Sequence, residues 1–564
     1  MSWTSLPPAL VLMLAGVLLP LLPRAARQAV SLIAPLAALG LVWTVPDGVS
    51  LSVEYLGYRV DLVEADALSR LFGTIFALMA FVGCIFALPQ RNVLELAAAL
   101  VYAGGAVGVS FAGDLIGVFI FWELMAVAST LVVWAPGTPE ARQAGLRYAF
   151  MHLLGGAVLM AGIAGHVAAT GSTEFTAMTA DTPATILILI GFLINAGAPP
   201  VSAWLPDAYP KASWSGTVFL SAFTTKTAVY VLLRGFPGTE ILIWVGLYMV
   251  FYGIVYALLE NNMRRILAYS IINQVGFMVV GIGIGTEVAL NGAAAHAFAH
   301  IIYKALLLMS AGSVLYMTGL RKCTDLGGLF RSMPITTVCG TIGALAISAF
   351  PWTSGFVTKS MITQGAADQH MLWAWLLLQA ASAGVFLHAG IKFPWFVFFQ
   401  RDSGLRPKDP PWAMRLAMIA FAFLCIGIGL MPGPLYALLP FPVDYEAYTG
   451  AHIVTQLQLL LFSGLAFFML LPLMKRTETI TLDFDWIWRR FLPRVALALR
   501  DTLGEAWTGA LGAARRRIEG VMVWTERTHS LHGPMGRTWP ISASAVMVAL
   551  FLLVYLVLFF VWPR

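Results

Sequence analysis

Apolar residues run almost without interruption along this chain, in stretches close to the roughly 20 residues a helix needs to cross a bilayer, separated by short polar loops. Such runs fall near 7–23, 29–45, 67–89, 93–112, 115–134, 146–168, 183–203, 215–235, 241–259, 266–285, 288–317, 334–366, 372–399, 413–431, 452–474 and 541–562. The pattern predicts an all-α polytopic membrane protein of about 14–16 transmembrane helices. Two runs are interrupted, the seventh between Asn195 and Pro200 and the twelfth between Phe350 and Gly355. Proline and glycine there free backbone carbonyls, and broken helices at two corresponding places point to a transport path. A plain proline kink is the competing reading of either one alone.

The stretch 475–538 departs from the rest. Trp486, Phe491, Val495, Leu499, Leu503, Trp507 and Leu511 recur at helical spacing among Arg489, Arg490, Arg494, Arg500 and Arg515 to Arg517. That predicts an amphipathic basic helix of roughly 45–60 Å, starting or kinking at Pro493. It is expected to lie along the cytoplasmic interface, or across a neighbouring protein of the same assembly, before a last span.

Composition removes other classes. Of 564 residues, 59% are hydrophobic and 11% charged, where a soluble chain carries about 25% charge; a large extramembrane catalytic domain is excluded. Cys84, Cys323, Cys339 and Cys425 form no CxxC pair, so neither a disulfide framework nor a metal cluster is expected, and no cofactor site is visible. The first run lacks a basic flank and a cleavage site and is expected to stay as a helix. Lysine and arginine concentrate in alternate loops, including Arg24, Arg91, Arg142, Lys211, Arg264, Arg321, Arg401 and most of 475–537, while acids such as Asp47, Glu54, Asp61 and Glu174 mark the others. The basic set is expected to be cytoplasmic and both termini outside. The net charge of +6 is thereby a topology signal and does not predict nucleic-acid binding.

Lys226, Lys304, Lys359 and Lys392 fall within spans or at their edges, as do Glu123, His152, His166, His296, His300 and His388. A lysine at the bilayer centre costs about 2.5 to 17 kcal/mol, so each calls for a wet path or a counter-charge. His296, His300 and Lys304 stand at i, i+4 and i+8, on one helix face with about 6 Å per step. Histidine titrates near neutrality, so such a stripe suits stepwise proton exchange. Zinc binding is the weaker reading, because no glutamate completes the motif. Hydrogen-bonded glue between helices is another. Glu123 and Lys226 lie on separate helices. If they pair, protonating the acid releases the amine's proton, whereas a static buried ion pair is the alternative.

Several ordered motifs carry a resemblance: Gly113 to Glu123, Arg147-Tyr148, Trp204 to Ala208, Thr225 to Arg234, Arg264 to Ser270, His296 to Lys304 and Ser354 to Lys359. Over about residues 60–430 the chain resembles the antiporter-like membrane proteins shared by Mrp-type multisubunit cation/proton antiporters and respiratory complex I. The resemblance implies two inverted five-helix repeats, each with a broken helix, at 93–236 and 237–400. They are flanked by N-terminal helices in 1–92, additional helices in 401–474, the basic segment 475–538 and a last span in 539–564. It also implies that Glu123 is the family's fifth-helix glutamate, Lys226 its eighth-helix lysine, Lys304 its central lysine and Lys359 its exit residue, with His296 and His300 beside them. At the place of the family's seventh-helix lysine stands Asn195, which cannot carry a proton.

The resemblance implies a bacterial plasma-membrane protein that works with other membrane subunits on protons, with sodium or potassium as candidate coupled ion. The first expectation is an antiporter module like the D-type component of Mrp complexes. The others are a proton-pumping module of complex I or a membrane hydrogenase, and a non-pumping scaffold of an inorganic-carbon uptake system. Asn195 leaves three outcomes for the first half of the path: Lys226 partners Glu123, only the second half conducts, or the protein is a scaffold.

Overall fold

The computed structural model describes residues 6–55, 57–472, 483, 486–530, 533–536 and 540–561. Two compact units make up the chain, Met1–Asp485 and Trp486–Arg564. The first begins with α1 (Pro8–Leu18) and α2 (Arg24–Thr44), then a hairpin of β1 (Gly48–Tyr55) and β2 (Tyr58–Ala65). Next come α3 (Ala67–Phe86), α4 (Val93–Phe111), α5 (Leu115–Trp134), α6 (Pro139–Thr170), α7 (Pro183–Ala196), α8 (Trp204–Ala208), α9 (Gly216–Leu220) and α10 (Thr224–Gly235). The second half continues with α11 (Ile241–Leu259), α12 (Met263–Ile284), α13 (Glu287–Thr318), α14 (Pro334–Ile347), α15 (Ser354–Asp368), α16 (Leu372–Val385), α17 (Trp412–Leu430), α18 (Gly433–Tyr436) and α19 (Gly450–Leu470). The other unit holds α20 (Leu492–His529) and α21 (Ile541–Val561).

Among the described residues 13 helices are long and apolar enough to cross a membrane, and shorter apolar ones occupy Pro8–Leu21, Pro183–Ala196 and Pro334–Ile347. Together they coincide with the apolar runs of the sequence, so the chain is an all-α polytopic membrane protein. Polar caps fix where the helices start. Asp114 accepts from Ile116 and Gly117 at α5, Asn262 from Arg264 and Arg265 at α12, and Thr138 and Thr286 cap α6 and α13. These side chains satisfy backbone donors that have no intrahelical partner.

The two halves repeat one local plan. α6 and α13 each run 32 residues, each from a threonine cap to a left-handed glycine, Gly171 and Gly319. Each is followed by a 14-residue helix, α7 or α14, that stops at a break. Burial grades outward from this arrangement: the α12 span is wholly buried and α13 nearly so, with α3, α12, α14, α15 and α17 packed on α13. The four cysteines are free and buried, as small core residues are.

The hairpin is an element the reading for spans passed over. Val49, Leu51 and Val53 alternate with polar residues in β1, the period-two pattern of a strand. The β2 backbone reaches the inner elements through Asp61, whose N–H donates to the Asp114 carboxylate at 2.7 Å. In the second unit α20 spans 38 residues, about 57 Å at 1.5 Å per residue, with Pro493 in its first turn as expected. Residues 473–482, part of the segment assigned to 475–538, lie outside the described residues, as do Arg537 and Arg564. Asp483 is described: it is buried and accepts from Tyr252 Oη at 2.6 Å and Tyr269 Oη at 2.5 Å, tying this point of the segment to α11 and α12.

Arg147 on α6 makes a two-pronged contact to the buried Asp207 of α8, Nε to Oδ2 at 2.7 Å and an Nη to Oδ1 at 3.0 Å. Arg147→Ala takes two charge-assisted bonds from a buried carboxylate. It should cost about 2–3 kcal/mol, less than a fully buried pair because the arginine is partly wet. A lowered unfolding midpoint in detergent checks this; an unchanged midpoint contradicts it.

Candidate functional site

The centre of the site is α13. Its apolar turns bury the helix on every side, so the polar stripe it carries is buried with it. His296, His300 and Lys304 are all inaccessible to solvent. The two imidazole centroids lie 6.3 Å apart, the step expected for i and i+4. His296 is held at both nitrogens: Nδ1 lies 3.1 Å from Thr358 Oγ1 on α15, and Nε2 lies 3.0 Å from Gln274 Oε1 on α12. Tyr303 Oη donates to the same Gln274 oxygen at 3.1 Å. Lys304 Nζ donates to Ser270 Oγ of α12 at 2.8 Å. Among the described residues neither nitrogen of His300 has a hydrogen-bond partner, an exception to the rule that buried polar atoms are paired.

Lys226 and Lys359 stand at helix breaks. Lys226 Nζ donates to the carbonyl of Ser221 at 2.7 Å and to Thr225 Oγ1 at 3.1 Å, in the gap between α9 and α10. Lys359 Nζ donates to the carbonyl of Ile347, the last residue of α14, at 3.2 Å, and lies 4.7 Å from the centre of the Phe277 ring. A helix that stops inside the bundle leaves carbonyls unpaired and carries partial negative charge at that end. An ammonium placed there is satisfied without a carboxylate. The break beyond α14 was signalled by Pro351 and Gly355, and its backbone includes left-handed Ala349 and Trp352. The break at Ser221 to Phe223 contains neither proline nor glycine, and nothing in the local sequence announces it. Lys392 plays a different part: its Nζ donates to the carbonyls of Ala257, Leu258 and Glu260 and closes the C-terminal end of α11.

Electrostatically the row is one cluster. His300 lies within Coulombic reach of Lys226, Lys304, His296 and Lys359, and Lys304 within reach of Lys226 and Lys359. Five of the six residues singled out in the sequence thus come together, from α10, α13 and α15. All face the interior of the bundle.

Glu123 stands apart. Among the described residues no ion pair joins it to Lys226, and its Oε1 is buried without a hydrogen-bond partner. Its carboxylate lies against Gly156 of α6, where an added Cβ would overlap Oε1. Gly156→Ala should therefore push the carboxylate aside while leaving the helices in place. An unfolding midpoint in detergent close to that of the unchanged protein checks this, and a large fall contradicts it.

Near Glu123 lies a contact that separate motifs cannot reveal. Asn195, in the last turn of α7, is bonded to His152 of α6, with Nδ1 and Oδ1 2.8 Å apart. The imidazole is wedged between Tyr148 and Trp204, at centroid distances of 4.1 and 4.7 Å. His152 Nε2 is buried and unpartnered. Tyr148 Oη donates to Ser129 Oγ at 2.9 Å and lies 3.5 Å from Thr224 Oγ1, at the start of the helix that bears Lys226. Among the described residues no group of three or more histidine, cysteine, aspartate or glutamate side chains is placed to hold a metal ion.

Residues 112–384 match the family described as NADH:quinone oxidoreductase/Mrp antiporter, transmembrane. A probable K(+)/H(+) antiporter protein of Rhizobium meliloti, of the A/B type, is 29% identical over 67% of this chain and 42% of its own length. The D-type component of the Na(+)/H(+) antiporter of Alkalihalophilus pseudofirmus is 29% identical over 59% of this chain and 71% of its own. The chain spans about half the length of the first curated relatives it matches, between 42% and 54%. Among solved structures, one protein of the Mrp complex from Dietzia sp. shares the fold at a TM-score of 0.68 and 22% identity, over 82% of this chain and 98% of that one. One from an archaeal membrane-bound sulfane sulfur reductase does so at 0.71 and 23%, over 98% and 100%.

Proposed function

We propose, from the premise that residues 112–384 carry the membrane domain shared by NADH:quinone oxidoreductases and Mrp antiporters, that this chain is the D-type module of a multisubunit cation/proton antiporter. It conducts protons along a row formed by Glu123, Lys226, His300, His296, Lys304 and Lys359. The observation that carries this reading is the buried cluster in which His300, with both nitrogens unpartnered, stands within Coulombic reach of three lysines and a second histidine. In a buried cluster a charge at one site raises the cost of a charge at the next, so on this reading a proton added at one site displaces one at its neighbour. Breaks at 221–223 and 348–353 supply carbonyls that hold Lys226 and Lys359 when protonated. On this reading the protein sits in a bacterial plasma membrane with its arginine-rich loops in the cytoplasm and both termini outside. The repeats correspond to 93–236 and 237–400.

One observation favours a second reading. The 38-residue basic helix α20, followed by the span α21, resembles the long helix and final span of the distal proton-pumping protein of complex I. There the energy would come from partner proteins. Purifying the native complex and reconstituting it in liposomes separates the two. The antiporter reading expects an imposed pH gradient to collapse on adding sodium or potassium, with small membrane proteins co-purifying. Co-purification with quinone-reducing proteins, and proton movement only when an electron donor is supplied, would overturn it in favour of the second. Assembly without proton movement under either condition would leave a scaffold.

A further inference from the structure

We infer that His152 carries the proton through the first half of the path, at the point where Asn195 has no titratable group to offer. This rests on the conducting role proposed above. The geometry comes from the repeated plan of α6 and α13. His152 stands fourteen residues after the cap Thr138, and His300 fourteen residues after the cap Thr286. By the same register Tyr148 corresponds to His296, and Gly156 to Lys304. The first half therefore holds an imidazole at the place where the second half holds the orphaned His300.

The chemistry of the contact fits a carrier. Asn195 Oδ1 accepts from His152 Nδ1 at 2.8 Å, which fixes the proton on Nδ1 and leaves the Nε2 lone pair free. Nε2 is buried and meets no protein partner. A proton arriving there forms the imidazolium, whose Nδ1–H stays bonded to the amide oxygen, and it leaves again from Nε2; no other bond forms or breaks. The source lies one helical turn away. Glu123 rests against Gly156, the i+4 neighbour of His152 on the same face of α6. On the far side Tyr148, packed 4.1 Å from the imidazole centroid, reaches toward Thr224, and two residues beyond Thr224 is Lys226. His152 thus occupies the interval between the acid and the first amine, which make no ion pair of their own.

The test uses the chain in its native complex, reconstituted in liposomes, with proton flux driven by an imposed membrane potential and read by a trapped pH dye. His152→Gln keeps a hydrogen-bonding group toward Asn195 but removes the titratable nitrogen, and should lower flux at least about 10-fold per complex recovered. Adding Asn195→Lys to it puts an amine at the same point and should restore flux. Wild-type flux in His152→Gln overturns the inference, and so does a loss that the added lysine does not repair. If His152→Gln does not assemble, the near-isosteric Asn195→Asp decides: a carboxylate beside Nδ1 traps the imidazolium and should also lower flux at least about 10-fold, and normal flux overturns the inference. Lys359→Ala is measured alongside. Loss in Lys359→Ala with normal flux in His152→Gln removes this inference alone, whereas normal flux in both removes the conducting role as well.

Discussion

Replacing Lys304 by alanine should reduce voltage-driven proton flux through the reconstituted complex at least about 100-fold, and Lys359→Ala should do the same. Lys304 is fully buried near the middle of α13, donates to Ser270 and lies within Coulombic reach of both Lys226 and Lys359. An alanine there leaves a methyl group between two amines that otherwise communicate through a titratable one. Lys359 sits at the edge of the row, held by the end of α14 and the face of Phe277. Its loss removes the amine that stands at the α14–α15 break. Neither substitution should unfold the protein, because each takes the donor from a single neutral acceptor, the Ser270 hydroxyl or the Ile347 carbonyl, and removes a buried charge with it. Normal recovery of the complex with flux at the level of protein-free liposomes is the expected result. Wild-type flux in both variants would make the stripe a structural feature.

Arg264→Ala should destabilise the protein by about 3–5 kcal/mol. The side chain is buried at the start of α12 and gathers the carbonyls of Pro210 at 3.1 Å, Ala212 at 2.9 Å and Ser213 at 2.7 Å, together with the Thr217 hydroxyl. The carbonyls belong to the turn between α8 and α9 and the hydroxyl to α9 itself, where the chain has left one broken helix and is entering the next. Water cannot replace the guanidinium at such a depth without opening the bundle. Three carbonyls would each lose a charged donor at once, only that of Ser213 keeping donors from Thr217, and the removed side chain would leave a cavity. The effect should also reach Lys226, because the turn leads into the break whose Ser221 carbonyl holds that amine. A large fall in the unfolding midpoint in detergent checks the prediction. A midpoint within a degree or so of wild type would mean that the turn is held by other contacts.

Hydropathy made the helices legible because every span must satisfy its backbone internally and hide it from lipid. Proline marked both the break after α14 and the start of α20. What stayed hidden has two physical causes. Some elements carry weak local signals: the β1–β2 hairpin alternates over only a few residues, and the break at 221–223 is set by how α9 and α10 pack, with no proline or glycine to announce it. Other features exist only in three dimensions. Whether Glu123 meets Lys226 depends on which face of α5 turns inward, and that face rests on Gly156. The bond between His152 and Asn195 needs α6 and α7 in close approach, which Gly162 and Gly191 allow by letting each helix come up against the other's backbone. Spacing along one helix, by contrast, was enough for His296, His300 and Lys304, whose common face follows from 3.6 residues per turn.

Proton conduction through this bundle requires water to join these ionisable groups into one row. A cryo-EM map of the native complex, at a resolution that shows ordered water, decides whether it does. Water density is expected at His300 and between the amines of Lys226, Lys304 and Lys359, continuing to His152 and Glu123. Continuous side-chain packing between those amines, with no water at His300, would contradict it.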